Sequence, residues 1–133
     1  VNEYKLLTST VTTLDYKQAP NLWVYGAPGI GKTRQFHESG NSMYLKNPNK
    51  WWDGYDGETD VLLDDIDPSH DYLAYFLKIW ADRYPFNAET KGGTIKIRPG
   101  RILVTSNYSI DRVFLDSNIN RAIRRRFQEV LME

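Results

Sequence analysis

The sequence predicts an α/β fold, in which helices flank a central and mostly parallel β-sheet. Two short apolar runs carry this prediction. Residues 22–25 end at a glycine, and residues 61–63 end at an aspartate, as buried strands end before a turn. Apolar residues then recur at helical spacing from Leu73 to Trp80. Strands that alternate with helices in this way favour parallel pairing.

The first half of the chain predicts three strands and one helix. The apolar run 22–25 stops at a glycine, and a helix is expected over residues 32–37. Residues 42–45 predict a second strand, whereas residues 47–57 contain two glycines and predict a loop. Residues 61–64 are apolar up to their last position, which is typical of a strand buried on both faces.

The second half of the chain predicts a longer helix, a hairpin and further strands. Asp67 is a good helix cap and Pro68 suits a first turn, so a helix is expected from there to about Arg83. Gly92-Gly93 predicts the tip of a hairpin. The remaining predicted elements are strands at 94–98, 102–104 and 127–132 and a helix at 118–125.

The composition indicates one folded domain. The chain has 133 residues, of which 41% are hydrophobic and 14% aromatic. Cysteine is absent, which excludes disulfides, thiol catalysis and cysteine-bearing zinc sites. No apolar run is long enough to span a bilayer, and no membrane partner is expected. Basic and acidic residues balance at 17 each, so any nucleic-acid binding must come from local patches.

A phosphate-binding pattern lies between the first strand and the first helix. It is the segment Gly26-Ala27-Pro28-Gly29-Ile30-Gly31-Lys32-Thr33. Glycines let backbone N–H groups close around phosphate oxygens, so ATP is the expected cofactor. Lys32 is expected to reach the β- and γ-phosphates, and the Thr33 hydroxyl to coordinate Mg²⁺. The pattern predicts a P-loop and an AAA+-like NTPase sandwich; the alternative is a glycine turn before a helix.

Two adjacent carboxylates and one amide follow the strands behind the P-loop. Asp64 is assigned to the Mg²⁺ shell and Asp65 to polarising the attacking water. The alternative is that these acids only cap the next helix. Asn107 follows the strand at 102–104 and is placed to touch the γ-phosphate and orient water, although an asparagine there is also a common turn residue.

Two basic clusters have open interpretations. One comprises Arg121, Arg124, Arg125 and Arg126. It predicts either a solvated helix face or an arginine finger that enters the ATP site of a neighbouring copy. The other surrounds the hairpin and comprises Arg83, Lys91, Lys96, Arg98 and Arg101, with Tyr84 and Phe86 beside them. It predicts either a surface that binds the phosphates and bases of a nucleic acid or an ordinary charged hairpin.

Two other residue types predict packing rather than chemistry. His37 and His70 lack partners at metal-ligand spacing, so both are expected to be surface or packing residues. Trp51 and Trp52 precede a glycine turn, and both are expected to pack in the core rather than to form a binding platform.

These motifs, in this order, resemble the superfamily three helicase domain of the Rep replication initiators of circoviruses and related circular single-stranded DNA viruses. The resemblance runs from about Leu22 to Phe127. It rests on VYGAPGIGK at 24–32, KWWDGY at 50–55, LDD at 63–65, DRYP at 82–85, ETKGGT at 89–94 and ILVTSN at 102–107. The WWDGY and ETKGGT strings make the resemblance more specific than the P-loop alone.

The resemblance implies an ATP-driven helicase, built as a hexameric ring, that moves 3′ to 5′ on single-stranded DNA. It implies that Asn107 is the polar sensor residue. It suggests Arg125 or Arg126 as the finger supplied in trans, with Arg124 as a third candidate. The DNA-contacting loop would carry Lys91, Gly92, Gly93, Thr94 and Lys96.

The resemblance also sets the expected organisation. Residues 1–20 are expected to be a lead-in or part of an oligomerisation segment, and residues 21–133 the motor domain. A nicking endonuclease is expected upstream in the full-length protein, and the host nucleus is the expected location. No His-x-His is present, so no DNA cleavage is expected from this chain. The alternative functions are a nucleotide-gated assembly and DNA-binding module and, less consistent with these strings, a P-loop kinase acting on a small molecule.

Overall fold

The computed structural model describes residues 21–28, 31–38 and 40–132. The predicted lead-in over residues 1–20 lies outside these ranges, as do Gly29 and Ile30 of the predicted P-loop. The strands are Asn21–Tyr25 (β1), Met43–Leu45 (β2), Asp60–Ile66 (β3), Phe86–Thr90 (β4), Gly93–Ile97 (β5), Arg101–Ser106 (β6) and Phe127–Leu131 (β7).

Five of the strands form a parallel sheet in the order β2-β3-β6-β1-β7. The other two, β4 and β5, form a separate antiparallel hairpin. The helices are Lys32–His37 (α1), a 3-10 helix at Pro68–Leu73, Ala74–Trp80 (α2), Ile110–Val113 (α3) and Ser117–Arg126 (α4). The predicted fold class, a mostly parallel sheet flanked by helices, is therefore confirmed.

Both faces of the central sheet are buried, because successive residues of a strand point to opposite faces. Trp23, Leu63 and Val104 belong to one apolar cluster, which also includes Leu77 of α2 and Ile123 of α4. The adjacent residues in each strand belong to the other cluster, with Phe36 of α1 against them; they are Val24, Leu62 and Leu103. The continuous apolar runs of the sequence follow from this double burial.

A second group of aromatic residues joins the hairpin to the sheet. Trp52 is fully buried, stacks on Tyr44 with ring centroids 5.6 Å apart, and meets Trp80 edge-on at 5.3 Å. Lys46 is buried among them, with Nζ 4.7 Å from the Trp80 ring centroid. Its ammonium donates to the backbone carbonyl of Asn47 at 3.0 Å, and burial lowers its pKa to about 8.

Most predicted elements are confirmed with bounds shifted by a residue or two, but the helix expected over 67–83 is not continuous. It begins as a 3-10 helix, and α2 follows and ends at Trp80. His70 has non-helical backbone angles because its Nδ1 accepts the backbone N–H of Asp67 at 3.0 Å. The side chain of Asp67 in turn accepts the backbone N–H of Ser69 and caps the 3-10 helix. The strand β4 and the short helix α3 were not predicted. Within the described ranges, no helix combines the length and apolar character needed to cross a membrane.

Candidate nucleotide-binding site

The segments that follow β1, β3 and β6 leave the same edge of the sheet, because these neighbouring strands run parallel. In open α/β sheets, ligands bind beyond the carboxyl ends of the strands. The predicted phosphate loop follows β1, the paired carboxylates lie near the end of β3, and Asn107 follows β6. The topology therefore brings together three motifs that are far apart in the sequence.

Lys32 connects the loop after β1 to the end of β6. Its side chain is buried, and its Nζ donates to the carbonyl oxygens of Gly26 at 3.0 Å and Ala27 at 2.9 Å. The same ammonium donates to Oδ1 of Asn107 at 3.1 Å. Gly31 precedes it with φ of 84°, in the left-handed region that favours glycine, and α1 begins directly after this turn. Two predicted nucleotide contacts, Lys32 and Asn107, are thus in direct contact.

Asp64 is held from two sides by hydroxyl groups. Its Oδ1 accepts hydrogen bonds from Thr33 Oγ1 at 2.6 Å and from Thr105 Oγ1. Thr105 lies on β6, is fully buried, and also accepts the backbone N–H of Asp65 at 3.0 Å. The two residues predicted for the metal, Thr33 and Asp64, are therefore adjacent, and Thr105 orients the second of them.

A bulge in β3 determines where the paired carboxylates point. The register between β3 and β6 shifts between Leu63 and Ile66, and Asp65 has φ of 56°. A regular strand would send Asp64 and Asp65 to opposite faces, but both are exposed here. A left-handed aspartate is uncommon and costs backbone energy, which is a feature concentrated at functional sites.

Asp65 and Asn107 face one open cleft of about 610 Å³. Pro28 of the loop also lines it, as does Tyr108, whose carbonyl accepts the indole N–H of Trp23 at 3.0 Å. The volume is within the range of small-molecule sites in proteins. The predicted water-activating acid and the predicted sensor thus share a space that borders the phosphate loop.

The donor set fits a magnesium ion that arrives with a nucleotide. Within the described ranges, no group of three His, Cys, Asp or Glu side chains is arranged to hold a metal. Mg²⁺ is usually bound by one or two carboxylates together with substrate phosphates. Adjacent ligands of an octahedral Mg²⁺ lie about 2.9 Å apart, and the oxygens of Thr33 and Asp64 are 2.6 Å apart. The pair therefore needs only a small separation to serve as neighbouring ligands.

The arginines of α4 have different environments. Arg124 binds Asp111 and Glu129, each at 2.8 Å. The hydrogen bond from Arg124, together with one from Asn120, holds the pKa of Asp111 below its usual value. Arg126 donates to the carbonyl oxygens of Lys78 and Ala122, each at 2.9 Å. The trans finger stays a prediction, and the geometry favours Arg125 over Arg124 and Arg126.

The side chain of Arg125 is exposed and makes no hydrogen bond or ion pair with any other residue that the structure describes. It lines a cleft of about 420 Å³ with Arg83, Tyr84 and the side chains of Asp82 and Arg126. Arg126 differs because its guanidinium also contacts Asp82 at 3.4 Å and is 17% exposed. As far as the described residues go, the guanidinium of Arg125 is therefore available to bind a group outside its own chain.

The predicted basic cluster around the hairpin is only partly exposed. The hairpin residues predicted to contact DNA are all exposed: Lys91, Gly92, Gly93, Thr94 and Lys96. Arg98, however, is buried, and Arg101 forms an ion pair at 3.0 Å with Asp60, which is fully buried. The prediction that these two arginines belong to the binding surface is wrong, because Arg98 is buried and Arg101 pairs with Asp60 between β6 and β3 of the central sheet. Phe86 is buried as well, so of the two predicted aromatic neighbours only Tyr84 is exposed.

Sequence reasoning missed the supporting contacts of Thr105 and the partly exposed position of Trp51. The sequence predicts both Trp51 and Trp52 in the core, but only Trp52 is buried, and Trp51 is partly exposed beside the hairpin. Adjacent residues in an extended segment point to opposite sides, and this was the signal that could have separated them. No comparable signal identifies Thr105, since its role depends on the residues opposite it in β3.

A protein-family model described as RNA helicase matches residues 22–108. The Replication-associated protein of Beak and feather disease virus is 37% identical over 109 residues, covering 80% of this chain and 36% of that protein. The Replication-associated protein of Porcine circovirus 1 is 42% identical over 98 residues, covering 70% of this chain and 30% of that protein. This chain thus spans about a third of the length of these curated relatives.

Among solved structures, a putative primosome component from Streptococcus pyogenes serotype M3 aligns with 98% of this chain and 76% of its own. The TM-score is 0.51 and the sequence identity is 15%, so this likeness concerns the fold alone. The range matched by the family model contains the phosphate loop, the paired carboxylates, the hairpin and Asn107. The arginines of α4 lie beyond that range.

Proposed function

This chain belongs to the RNA helicase family, and from that premise we propose that it is an ATP-hydrolysing motor domain that moves along single-stranded DNA and separates DNA strands. Its similarity to circovirus replication-associated proteins supports a role in copying a viral genome. The observation that carries the proposal is the hydrogen-bonded group at the edge of the sheet, in which Lys32 contacts Asn107 and Thr33 contacts Asp64. An upstream nicking domain and a location in the host nucleus stay parts of the proposal.

Lys32 and Thr33 bind the nucleotide in this proposal. The ammonium of Lys32 already lies against the carbonyl oxygens of Gly26 and Ala27, and charged phosphate oxygens would be stronger acceptors for it. A bound Mg²⁺ would supply positive charge that stabilises the negative charge of the phosphates during hydrolysis. Thr33 and Asp64 would hold that ion, and Thr105 fixes the rotamer of Asp64.

Asp65 and Asn107 act on the water that attacks the γ-phosphate. Asp65 is held by the bulge with its side chain exposed toward the cleft, where it can accept a hydrogen bond from water. Asn107 offers an amide to the γ-phosphate while its oxygen contacts Lys32. Lys32 contacts both the phosphate loop and Asn107. Loss of the γ-phosphate would therefore alter the contacts of Lys32 and, through them, the position of Asn107 at the end of β6.

The transition-state charge requires a donor from another copy of the chain. Among the described residues that line the cleft, none is an arginine. Arg125 is exposed on α4 and is unpaired within the described ranges, so we assign to it the finger in trans. A closed ring, proposed as a hexamer, gives every cleft one such neighbour. Such a ring would also bring several hairpins to one channel. Their basic residues would together make the channel positively charged, even though a single chain has zero net charge.

A strand-displacement assay tests this function directly. The expected result is displacement of a DNA strand with ATP and Mg²⁺, and none with a non-hydrolysable analogue. An RNA duplex of the same sequence should be included, because the family model carries the description RNA helicase. Strand binding and assembly that depend on nucleotide, without displacement, would instead support the nucleotide-gated module. Displacement of RNA alone would overturn the assignment to DNA.

A further inference from the structure

The indole ring of Trp51 lies between two lysine ammonium groups. Lys50 Nζ is 4.7 Å from the ring centroid, and Lys91 Nζ, at the tip of the hairpin, is 5.9 Å from it. Within the described part of the chain, Trp51 makes no contact with another aromatic ring. Two flexible, charged side chains that can move aside therefore lie against a partly exposed ring.

The backbone that carries Trp51 is rigid. The N–H of Trp52 donates to the carbonyl of Glu89 at 2.9 Å, and the N–H of Lys91 donates to Asp53 Oδ1 at 2.9 Å. The hydroxyl of Tyr44 donates to the carbonyl of Asp53 at 2.7 Å. Trp52 is fully buried. The segment is thus fixed to the core on one side and to the hairpin tip on the other, so a ligand can bind there without first ordering the chain.

The charges around Trp51 favour a base over a bare phosphate. Glu89 forms an ion pair with Lys50 at 3.4 Å, and Asp53 accepts the N–H of Lys91, so acidic and basic groups are mixed here. A mixed surface binds phosphate weakly, whereas an aromatic face stacks on any base. A base that stacks on the ring would displace the two ammonium groups from it. Each ammonium could then bind a phosphate next to the stacked base.

We propose that Trp51 is a base-stacking platform for single-stranded DNA, and that Lys50 and Lys91 bind the phosphates that flank the stacked base. This inference rests on the proposed function, since it requires that the hairpin lies on DNA. It adds a second segment, residues 50–53, to the predicted contacts of the hairpin. It also gives the site a means of binding strands of any sequence, because every base has an aromatic face.

The four tryptophans of the chain make the test specific. Trp23, Trp52 and Trp80 are between 0% and 5% exposed, so Trp51 is the indole that a base can reach. Oligo(dT) should quench the intrinsic fluorescence of the protein when it binds. An abasic oligonucleotide of the same length keeps the phosphates and lacks the bases, so it should bind with little quenching.

Three variants separate stacking from a structural role. Trp51→Leu should lose about tenfold in affinity for oligo(dT) and much less for the abasic strand. Trp51→Phe should keep most of the affinity for oligo(dT) while the quenching disappears. Lys91→Ala should weaken binding of both strands to a similar extent. A thermal melt of each variant checks that the fold is retained. If Trp51→Leu does not fold, the loss of quenching in Trp51→Phe tests the proposal.

Equal losses on the two strands in Trp51→Leu would overturn the platform, as would quenching that persists in Trp51→Phe. Failure of the wild-type chain to bind either strand would overturn both the platform and the DNA-binding part of the proposed function. Binding that depends on the bases, in a chain that hydrolyses no ATP, would uphold the platform and refute the motor.

Discussion

The buried hydroxyl of Thr105 donates a hydrogen bond to the carboxylate of Asp64 on the neighbouring strand. The same hydroxyl accepts the backbone N–H of Asp65 at 3.0 Å. One side chain of β6 therefore orients the proposed metal ligand and supports the bulge that exposes the proposed water-activating acid. The arrangement predicts that Thr105 acts on catalysis through these carboxylates, without touching the nucleotide.

Thr105→Val should lower the Mg²⁺ affinity and the rate of ATP hydrolysis by about 10- to 100-fold, as loss of a supporting hydrogen bond commonly does at metal sites. It should also cost about 1–3 kcal/mol in the free energy of unfolding, because the N–H of Asp65 loses its partner. Magnesium titrations of the hydrolysis rate, with Thr105→Ser as the matched control, check this. Wild-type magnesium dependence in Thr105→Val would refute the role of Thr105.

The arginines of α4 should separate into a functional and a structural class. Arg125→Ala should reduce ATP hydrolysis by about 10³-fold, the lower range for an arginine finger, with the melting temperature unchanged. Arg126→Ala should lower the free energy of unfolding by about 2 kcal/mol, because it removes bonds to Lys78, Ala122 and Asp82. Hydrolysis rates and thermal melts of the two variants check this.

Mixing experiments sharpen the assignment of Arg125. Arg125→Ala lacks the finger but keeps its own cleft, whereas Asp64→Ala keeps the finger and lacks the metal ligand. A mixture of the two should regain hydrolysis at the interfaces that pair an intact cleft with an intact finger. Full activity of Arg125→Ala alone would contradict a finger in trans, as would an absence of recovery at every mixing ratio.

The hairpin should contribute to DNA binding mainly through charge. Lys91 is exposed at its tip, so Lys91→Ala should weaken binding of all sequences alike and reduce the slope of log affinity against log salt by about one. Arg112→Ala removes an exposed charge from α3 and is the matched control. Fluorescence anisotropy over a range of salt concentrations measures both. Equal slopes for wild type and Lys91→Ala would show that Lys91 makes no phosphate contact.

Stability should rise with pH above about 8 because of Lys46. Burial lowers the pKa of Lys46 from an ordinary 10.5 to about 8. Between these values the unfolded chain binds more protons than the folded one, so the free energy of unfolding increases with pH. Across this pH range, the free energy of unfolding increases by about 3 kcal/mol at most because of Lys46. Burial raises the pKa of Tyr44 and Tyr55, which opposes this trend once pH exceeds about 10.

Urea denaturation between about pH 7.5 and 9.5 measures the slope due to Lys46. Lys46→Met should flatten it, since the variant has no ammonium to bury. Lys50→Met, at an exposed position, should leave the slope as in the wild type. A slope that is the same in Lys46→Met would mean that other groups are responsible.

Features encoded by neighbouring residues could be predicted from the sequence. The phosphate loop needs only a strand, glycines at fixed spacing, and a Lys-Thr pair before a helix. The strands of the sheet are continuous apolar runs because both faces of the sheet are covered. For these reasons the fold class and the convergence of Lys32, Asp64 and Asn107 at one edge followed from local patterns and parallel topology.

Features that depend on residues across the fold could not be predicted. Arg101 is bound by Asp60, but the sequence does not show that these two residues face each other. The bulge at Asp65 and the role of Thr105 depend on the register between β3 and β6. The start of the helix predicted over 67–83 became a 3-10 turn because His70 folds back onto Asp67.

The central claim is tested most directly by the specific rate of ATP hydrolysis, measured over a range of protein concentrations with and without single-stranded DNA. For the wild-type chain the rate per molecule should rise with concentration and rise further with DNA, and Lys32→Ala should show no hydrolysis under any of these conditions. A rate in Lys32→Ala equal to that of the wild type would contradict the assignment of the nucleotide site. A wild-type rate that is indifferent to both concentration and DNA would contradict a ring-forming motor.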